Sequence, residues 1–147
     1  MGYVTNGDIE ARVGAARYVQ LTDDAGSGSA NLTVVAEARD GAEGLVNSHL
    51  AQRYAVPIDL AAHAEAAAVL KSVTLDLVEY GLHARRREVP RDVIVKRDNA
   101  VAWLQRVARG EAALPSLTEI EPSAASGPRA QVTGESRTLS RDELAEF

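Results

Sequence analysis

The stretch that decides the fold is AAHAEAAAVLKSVTLDLVEYGL, residues 61–82, which is the least polar segment of the chain. Its apolar residues recur every three or four positions, the spacing at which side chains share one face of an α-helix. Further apolar residues lie beside this stripe, so the pattern predicts a central helix that is packed on more than one side. The stripe consists of Ala66, Val69, Leu70, Val73, Leu77 and Tyr80.

Helical patterns surround this segment on both sides. Thr5 is a good N-cap for a short first helix because Asp8 occupies the N3 position, and Gly110 is a natural C-cap for the last helix. We therefore expect an all-α fold, a bundle of about four helices in a body that comprises residues 1–110. The helical segments are residues 5–14, a turn or two over residues 15–21, and residues 32–53, 61–82 and 91–109.

Two glycines interrupt the helical pattern of residues 32–53. Gly41 and Gly44 each weaken a helix by roughly 1 kcal/mol relative to alanine, so tertiary packing must hold this one together. Small residues at these positions would permit the close approach of a neighbouring helix.

The periodicity stops after Gly110. Residues 111–139 are rich in proline, serine and glycine and predict an extended arm rather than a part of the core. The body of residues 1–110 is thus expected to be followed by a long C-terminal arm, residues 111–147. The prolines of the arm are Pro115, Pro122 and Pro128.

The end of the arm, residues 140–147, has the pattern of a docking segment. Ser140 is a suitable N-cap with Glu143 three residues later, and Leu144 and Phe147 share one helical face. Such an end is useful when it binds a partner, either another copy of the chain or a different protein. The alternative is a frayed terminus of no consequence.

Composition limits the function classes. The chain has 147 residues, a net charge of −5 and no cysteine, and residues 111–147 supply −4 of that charge through seven acidic side chains and three arginines. Nucleic-acid binding needs a basic excess to neutralise phosphates, so the balance argues against a DNA- or RNA-gripping protein. No leader pattern opens the sequence and no apolar stretch approaches the roughly 18 residues of a membrane span, which predicts a soluble protein.

Candidate catalytic and metal-binding patterns are weak. Residues 23–28 (DDAGSG) superficially resemble a calcium loop, but Ala25 and Ser27 stand where carboxylates or amides are needed. No histidine has a partner at i+4, and no nucleophile elbow or phosphate loop is present. We therefore expect no enzyme activity, no cofactor and no metal site. The three histidines are His49, His63 and His83.

The only basic run consists of Arg85, Arg86 and Arg87, which we call the arginine run. One interpretation is a solvated connector that complements the C-terminal end of a helix. The other is an interface or channel patch that faces an acidic partner or the DNA backbone.

Several pieces together resemble one family. The chain resembles the small head-to-tail adaptor proteins of Mu-like tailed phages and prophages, and the resemblance spans nearly its whole length in order. The matching pieces are MGYVT (1–5), DIEARVG (8–14), QLTD (20–23), SHLAQRYAVP (48–57), the helix end from AWL (102–104) to RG (109–110), and SRDEL (140–144) with Phe147.

The resemblance implies a structural virion protein and not an enzyme. Such a protomer assembles with other copies of itself in a ring, commonly of twelve, beneath the portal protein of the capsid. The ring would extend the DNA channel, with DNA only as passing cargo, and would meet the next neck or tail-completion protein. Its location would be the virion neck, after assembly in the host cytoplasm, with no membrane partner.

The resemblance also gives the docking segment a target, because related adaptors attach to the portal through a C-terminal segment. The alternative function is a cytosolic helical protein-interaction module that binds a partner through its C-terminal tail. The residues expected to contact the portal or a neighbouring subunit are Arg137, Leu139, Ser140, Arg141, Asp142, Leu144 and Phe147.

Overall fold

The computed structural model describes residues 2–120, and within that range it is all-α, as the sequence predicts. It contains five helices rather than about four, because Ala15–Thr22 forms a helix of its own after a break at Gly14. Gly14 has φ +89°, a conformation that residues with a side chain rarely adopt, so it separates the first two helices. The helices are α1 (Asn6–Val13), α2 (Ala15–Thr22), α3 (Leu32–Leu50), α4 (Ala64–Arg85) and α5 (Arg91–Arg109).

The central helix is α4, which packs against each of the other four helices. Its buried residues lie around most of its circumference, which confirms the prediction of a helix packed on more than one side. The predicted stripe needs one correction, because Val69 is 37% exposed, whereas Thr74 and Val78 are fully buried. The hydroxyl of Thr74 donates a hydrogen bond to the Leu70 carbonyl at 2.7 Å, which removes the cost of burying it.

The helix ends follow local sequence signals. Thr5 and Asp8 form a capping box at the start of α1, and the Asn31 side chain accepts from Thr33 N at 3.0 Å at the start of α3. Gly110 ends α5 in the left-handed conformation with φ +81°, which confirms its predicted role as a C-cap.

The N-terminal segment, residues 2–5, is pinned to the body although it is not helical. Tyr3 and Val4 are buried, and the backbone N–H of Tyr3 donates to the Glu43 carboxylate at 2.8 Å. The Tyr3 hydroxyl donates to Asn47 Oδ1 and accepts from Ile58 N at 3.1 Å. One side chain thus joins the N-terminus to α3 and to the loop between α3 and α4.

The segment after α5, residues 111–120, corrects the expected end of the core. Leu114 is only 3% exposed, and its backbone N–H donates to the Tyr54 hydroxyl at 3.2 Å. Ala112 and Leu117 also pack against the core. The core therefore extends past Gly110, because an apolar side chain in a non-helical segment fills a gap that the helices leave.

Candidate protein interaction surface

A groove runs between α3, α4 and α5, with a volume of about 410 Å³. We call it the three-helix groove. Its lining is mainly apolar and small, and Leu45 at its edge is 39% exposed. The residues that line it are Glu37, Ala38, Gly41, Ala42 and Leu45 of α3, Leu77, Tyr80 and Gly81 of α4, and Arg97 and Val101 of α5.

Glycines keep this groove open. A Cβ atom placed on Gly41 or Gly81 would have no heavy atom within 4 Å, so neither glycine is required by packing inside the body. Glycine within a helix costs roughly 1 kcal/mol relative to alanine, and here no internal contact offsets that cost. Both glycines therefore border open space in the groove. The sequence indicated a close approach at Gly41 and Gly44, of which Gly41 lines the groove and Gly44 does not, and it gave no sign of Gly81.

A basic side chain stands at the edge of the groove. The guanidinium of Arg97 lies 4.4 Å from the centre of the Tyr80 ring, a cation–π arrangement, and its Nη1 contacts Asp98 Oδ1 at 3.1 Å. Its Nε is buried and has no hydrogen-bond partner within residues 2–120. Because buried donors are nearly always paired, Arg97 is a place where an incoming acceptor would gain a hydrogen bond if the side chain shifts.

The arginine run is engaged largely within the body. Arg85 Nη1 donates to the Leu21 carbonyl at 3.0 Å, and Arg86 Nη2 donates to the carbonyls of Gln20 at 3.0 Å and of Asp23 at 2.9 Å. Both guanidinium groups also pair with the carboxylate of Asp24.

These bonds satisfy carbonyls at the C-terminal end of a helix, where the partial charge is negative. The helix they complement is α2, some 60 residues earlier in the chain, rather than α4 on which Arg85 lies. Arg87 follows with φ +59° and is exposed. The first two arginines thus stabilise the C-terminal end of α2, a role that their position in the sequence did not reveal.

An ion-pair cluster joins three helices on another face of α4. Arg12 of α1 contacts both Asp76 and Glu79 of α4, and Lys96 of α5 lies 3.6 Å from Glu79. Burial raises the pKa of the Asp76 carboxyl, and the charge of Arg12 opposes that rise. The cluster orients α1 and α5 on α4, and each of its carboxylates has a basic neighbour, as expected of a structural network.

Contacts with Arg53 fix the end of the described C-terminal segment, residues 111–120, to the body. The backbone N–H of Ile120 donates to the Arg53 carbonyl at 2.7 Å, and the Arg53 side chain pairs with Glu119. Beyond this point lie the sequence-predicted contact residues, all of which fall outside the residues that the structure describes. They are Arg137, Leu139, Ser140, Arg141, Asp142, Leu144 and Phe147.

Residues 2–120 contain neither a metal-binding cluster nor a membrane-spanning helix. This part of the chain holds no group of three or more His, Cys, Asp or Glu side chains that could bind a metal ion. None of its helices is long and apolar enough to cross a membrane.

Comparison with known proteins gives one match. The bacteriophage Mu Gp36 family matches residues 3–132, which includes all five helices and residues 111–120. Comparison with curated proteins finds no match. Since the family covers most of the chain, the protein is a Mu-like phage protein, and the chain belongs to the bacteriophage Mu Gp36 family.

Proposed function

We propose that this chain is a structural virion protein, a head-to-tail adaptor whose copies form a ring beneath the portal. The ring, commonly of twelve copies, extends the DNA channel and joins the capsid to the next neck or tail-completion protein. The observation that carries the proposal is the open three-helix groove on a chain of a phage family, because an exposed apolar groove is a typical site of protein–protein contact.

The three-helix groove supplies one half of a lateral ring contact. Ring contacts are heterologous, so one patch on a subunit meets a different patch on its neighbour. A concave apolar strip floored by Gly41 and Gly81 suits a helix ridge of the next subunit. The Arg97 guanidinium, which lines the groove, would set the register of that ridge through a charge-assisted hydrogen bond.

The docking segment, residues 140–147, attaches the ring to the portal. The bonds of Arg53 to Glu119 and to Ile120 hold the start of the arm, so the chain departs from the same place on every subunit. In a symmetric ring this gives a circle of equivalent segments. Leu144 and Phe147 are the apolar anchors of each segment, and Arg141 and Asp142 set its register.

Passing DNA is cargo rather than a ligand in this proposal. Two of the three members of the arginine run are paired with backbone carbonyls and with Asp24, so this run offers few free donors for phosphates. A net charge of −5 also suits a conduit that lets DNA pass. The role is structural, without catalysis or a cofactor, in the virion neck after assembly in the host cytoplasm.

The ring contact is tested by filling the groove. Gly41→Leu places a side chain in the groove without an internal clash, so the body folds but the neighbour cannot approach. Gly44→Leu is the matched control, because Gly44 is on the same helix and equally unobstructed but does not line the groove. Negative-stain images with the portal should show rings for Gly44→Leu and none for Gly41→Leu. Rings formed equally by both variants would remove the groove from the contact.

The anchor is tested by the double variant Leu144→Ala with Phe147→Ala. It should lose co-sedimentation with the portal ring, whereas Val132→Ala, an apolar change in the arm outside the docking segment, should not. Circular dichroism of both variants should be unchanged. A wild-type chain that stays monomeric and ignores the portal would overturn the adaptor proposal and favour the protein-interaction module.

A further inference from the structure

A polar cavity of about 350 Å³ lies where α2, the end of α4 and the start of α5 meet. Neither the three-helix groove nor the docking segment includes any of its residues. The residues that matter here are Arg17 of α2, His83 of α4, and Arg86, Glu88 and Pro90 between α4 and α5.

His83 is the first reason to consider a ligand. It is 4% exposed, and buried polar side chains are normally hydrogen-bonded. The other buried polar residues, Thr22 and Thr74, obey this rule by donating to backbone carbonyls. His83 lines the cavity, and no hydrogen bond within residues 2–120 involves its imidazole. Neither ring nitrogen is among the fully enclosed unpaired atoms of the described residues, so the imidazole keeps access to solvent at the cavity.

The start of α5 is the second reason. Pro90, the N-cap residue, lines the cavity and provides no side-chain hydrogen bond to the first turn. The first N–H groups of this 19-residue helix therefore lack a capping acceptor, and the helix dipole makes this end partially positive. Anions bind at such helix ends.

The charges around the cavity define which anion fits. Arg17 is exposed and forms no ion pair within residues 2–120, whereas Arg86 donates to the carbonyls of Gln20 and Asp23. The charged side chains in the lining are those of Arg17, Arg86 and Glu88, which leaves one net positive charge without counting His83. One positive charge matches a singly charged ligand, and the Glu88 carboxylate in the lining repels a dianion about twice as strongly as a monoanion.

We propose that this cavity binds a carboxylate group. The guanidinium of Arg17 and the imidazole of His83 donate to the two carboxylate oxygens, and the uncapped end of α5 stabilises the negative charge. The chemistry is the same for a small free carboxylate and for the acidic side chain of a partner polypeptide. This inference does not depend on the adaptor proposal, since a chain with any other role would keep the same cavity.

The test is nuclear magnetic resonance of the full-length protein at constant pH and ionic strength. Acetate should shift the imidazole signals of His83 in a saturable way, while those of His49 and His63, which do not line the cavity, should stay in place. Absence of a saturable shift at His83 overturns the proposal. A larger effect from inorganic phosphate than from acetate also overturns it, because the site would then prefer a dianion.

Two variants make the test specific. Arg17→Gln should weaken acetate binding by about tenfold, the effect of losing a hydrogen bond to a charged group. Arg106→Gln removes the same charge from an exposed position outside the cavity and should leave the affinity unchanged. Equal affinities for both variants would overturn the role of Arg17.

Binding of a capped glutamate, N-acetylglutamate with its α-carboxyl amidated, distinguishes a small free carboxylate from the acidic side chain of a polypeptide. Tighter binding of the capped residue than of acetate assigns the cavity to an acidic side chain of a polypeptide. Equal binding assigns it to a free small carboxylate.

Discussion

Two segments without helical structure, residues 2–5 and residues 111–120, are held to the same body in different ways. The first inserts its own tyrosine, Tyr3, which bonds to groups on α3 and in the loop that follows it. The second buries a leucine, Leu114, whose backbone N–H donates a hydrogen bond to the hydroxyl of Tyr54 in the body. The comparison teaches that membership of the core depends on which side chain fills it and not on helical periodicity.

The strongest test of this comparison is truncation at two points. Removal of residues 121–147 should leave the free energy of unfolding unchanged, whereas removal of residues 111–147 should lower it by about 2–5 kcal/mol, the cost of emptying a buried leucine site. Urea unfolding followed by circular dichroism measures both. In the chain of residues 1–120, Leu114→Ala should reproduce most of the loss. Equal stability of the two truncations would place the end of the core at Gly110 after all.

A second test compares the two tyrosine hydroxyls. Tyr3→Phe leaves the buried N–H of Ile58 and the amide of Asn47 without their partner, and should cost about 1–3 kcal/mol. Tyr54→Phe leaves only the backbone N–H of Leu114 without its partner and should lower the free energy of unfolding by less. The denaturant midpoints of the two variants show which substitution destabilises the protein more. If Tyr54→Phe proves the more damaging change, the C-terminal segment is the better anchored of the two.

A third test concerns the junction of the N-terminal segment with α1. Thr5→Ala removes the N-cap and should cost about 1 kcal/mol. Hydrogen bonds from Lys71 and from the Thr5 backbone lower the pKa of Asp8 to about 2. Because the folded pKa is below the unfolded value of about 3.9, the stabilisation is complete above that value and is lost as pH falls towards 2.

The acid dependence of the junction can be isolated with Asp8→Asn. This variant should unfold with a shallower dependence on pH between 4 and 2 than the wild type. Lys71→Gln should flatten the same part of the curve to a smaller extent, because the Thr5 bonds remain. An unchanged pH profile in Asp8→Asn would show that other carboxylates govern acid unfolding.

The smallest expected effect is at the end of the C-terminal segment. Arg53→Gln removes the ion pair with Glu119 but keeps the backbone bond from Ile120 to the Arg53 carbonyl. Since the pair is partly exposed, the cost should be within about 1 kcal/mol and should shrink in high salt. A loss well above that range would mean that the side chain, rather than the backbone, holds this end of the body.

The helices could be predicted from the sequence because their signals are local. Thr5 with Asp8, the pattern around Leu70 and Leu77, and Gly110 each act within a turn or two of the chain. The turn or two predicted over residues 15–21 is likewise confirmed by α2, which begins after the positive φ of Gly14.

The candidate sites were predictable only in part, because they depend on contacts between distant residues. Gly41 signalled a close approach, but the groove also needs Gly81 and Arg97 from two other helices. The partners of Arg85 lie about 60 residues away on α2, which no spacing rule reaches. The docking segment, residues 140–147, stays a prediction from the sequence because it lies outside the described residues.

The central position of α4 determines how the body unfolds. Every other helix packs on α4, so none of them has a full set of neighbours once α4 is displaced. Backbone amides in the middle of α4 should therefore exchange with solvent only when the whole body unfolds, while those of α1 and α2 exchange through smaller openings. A single helix thus sets the cooperativity of the domain, and unfolding should follow two-state behaviour.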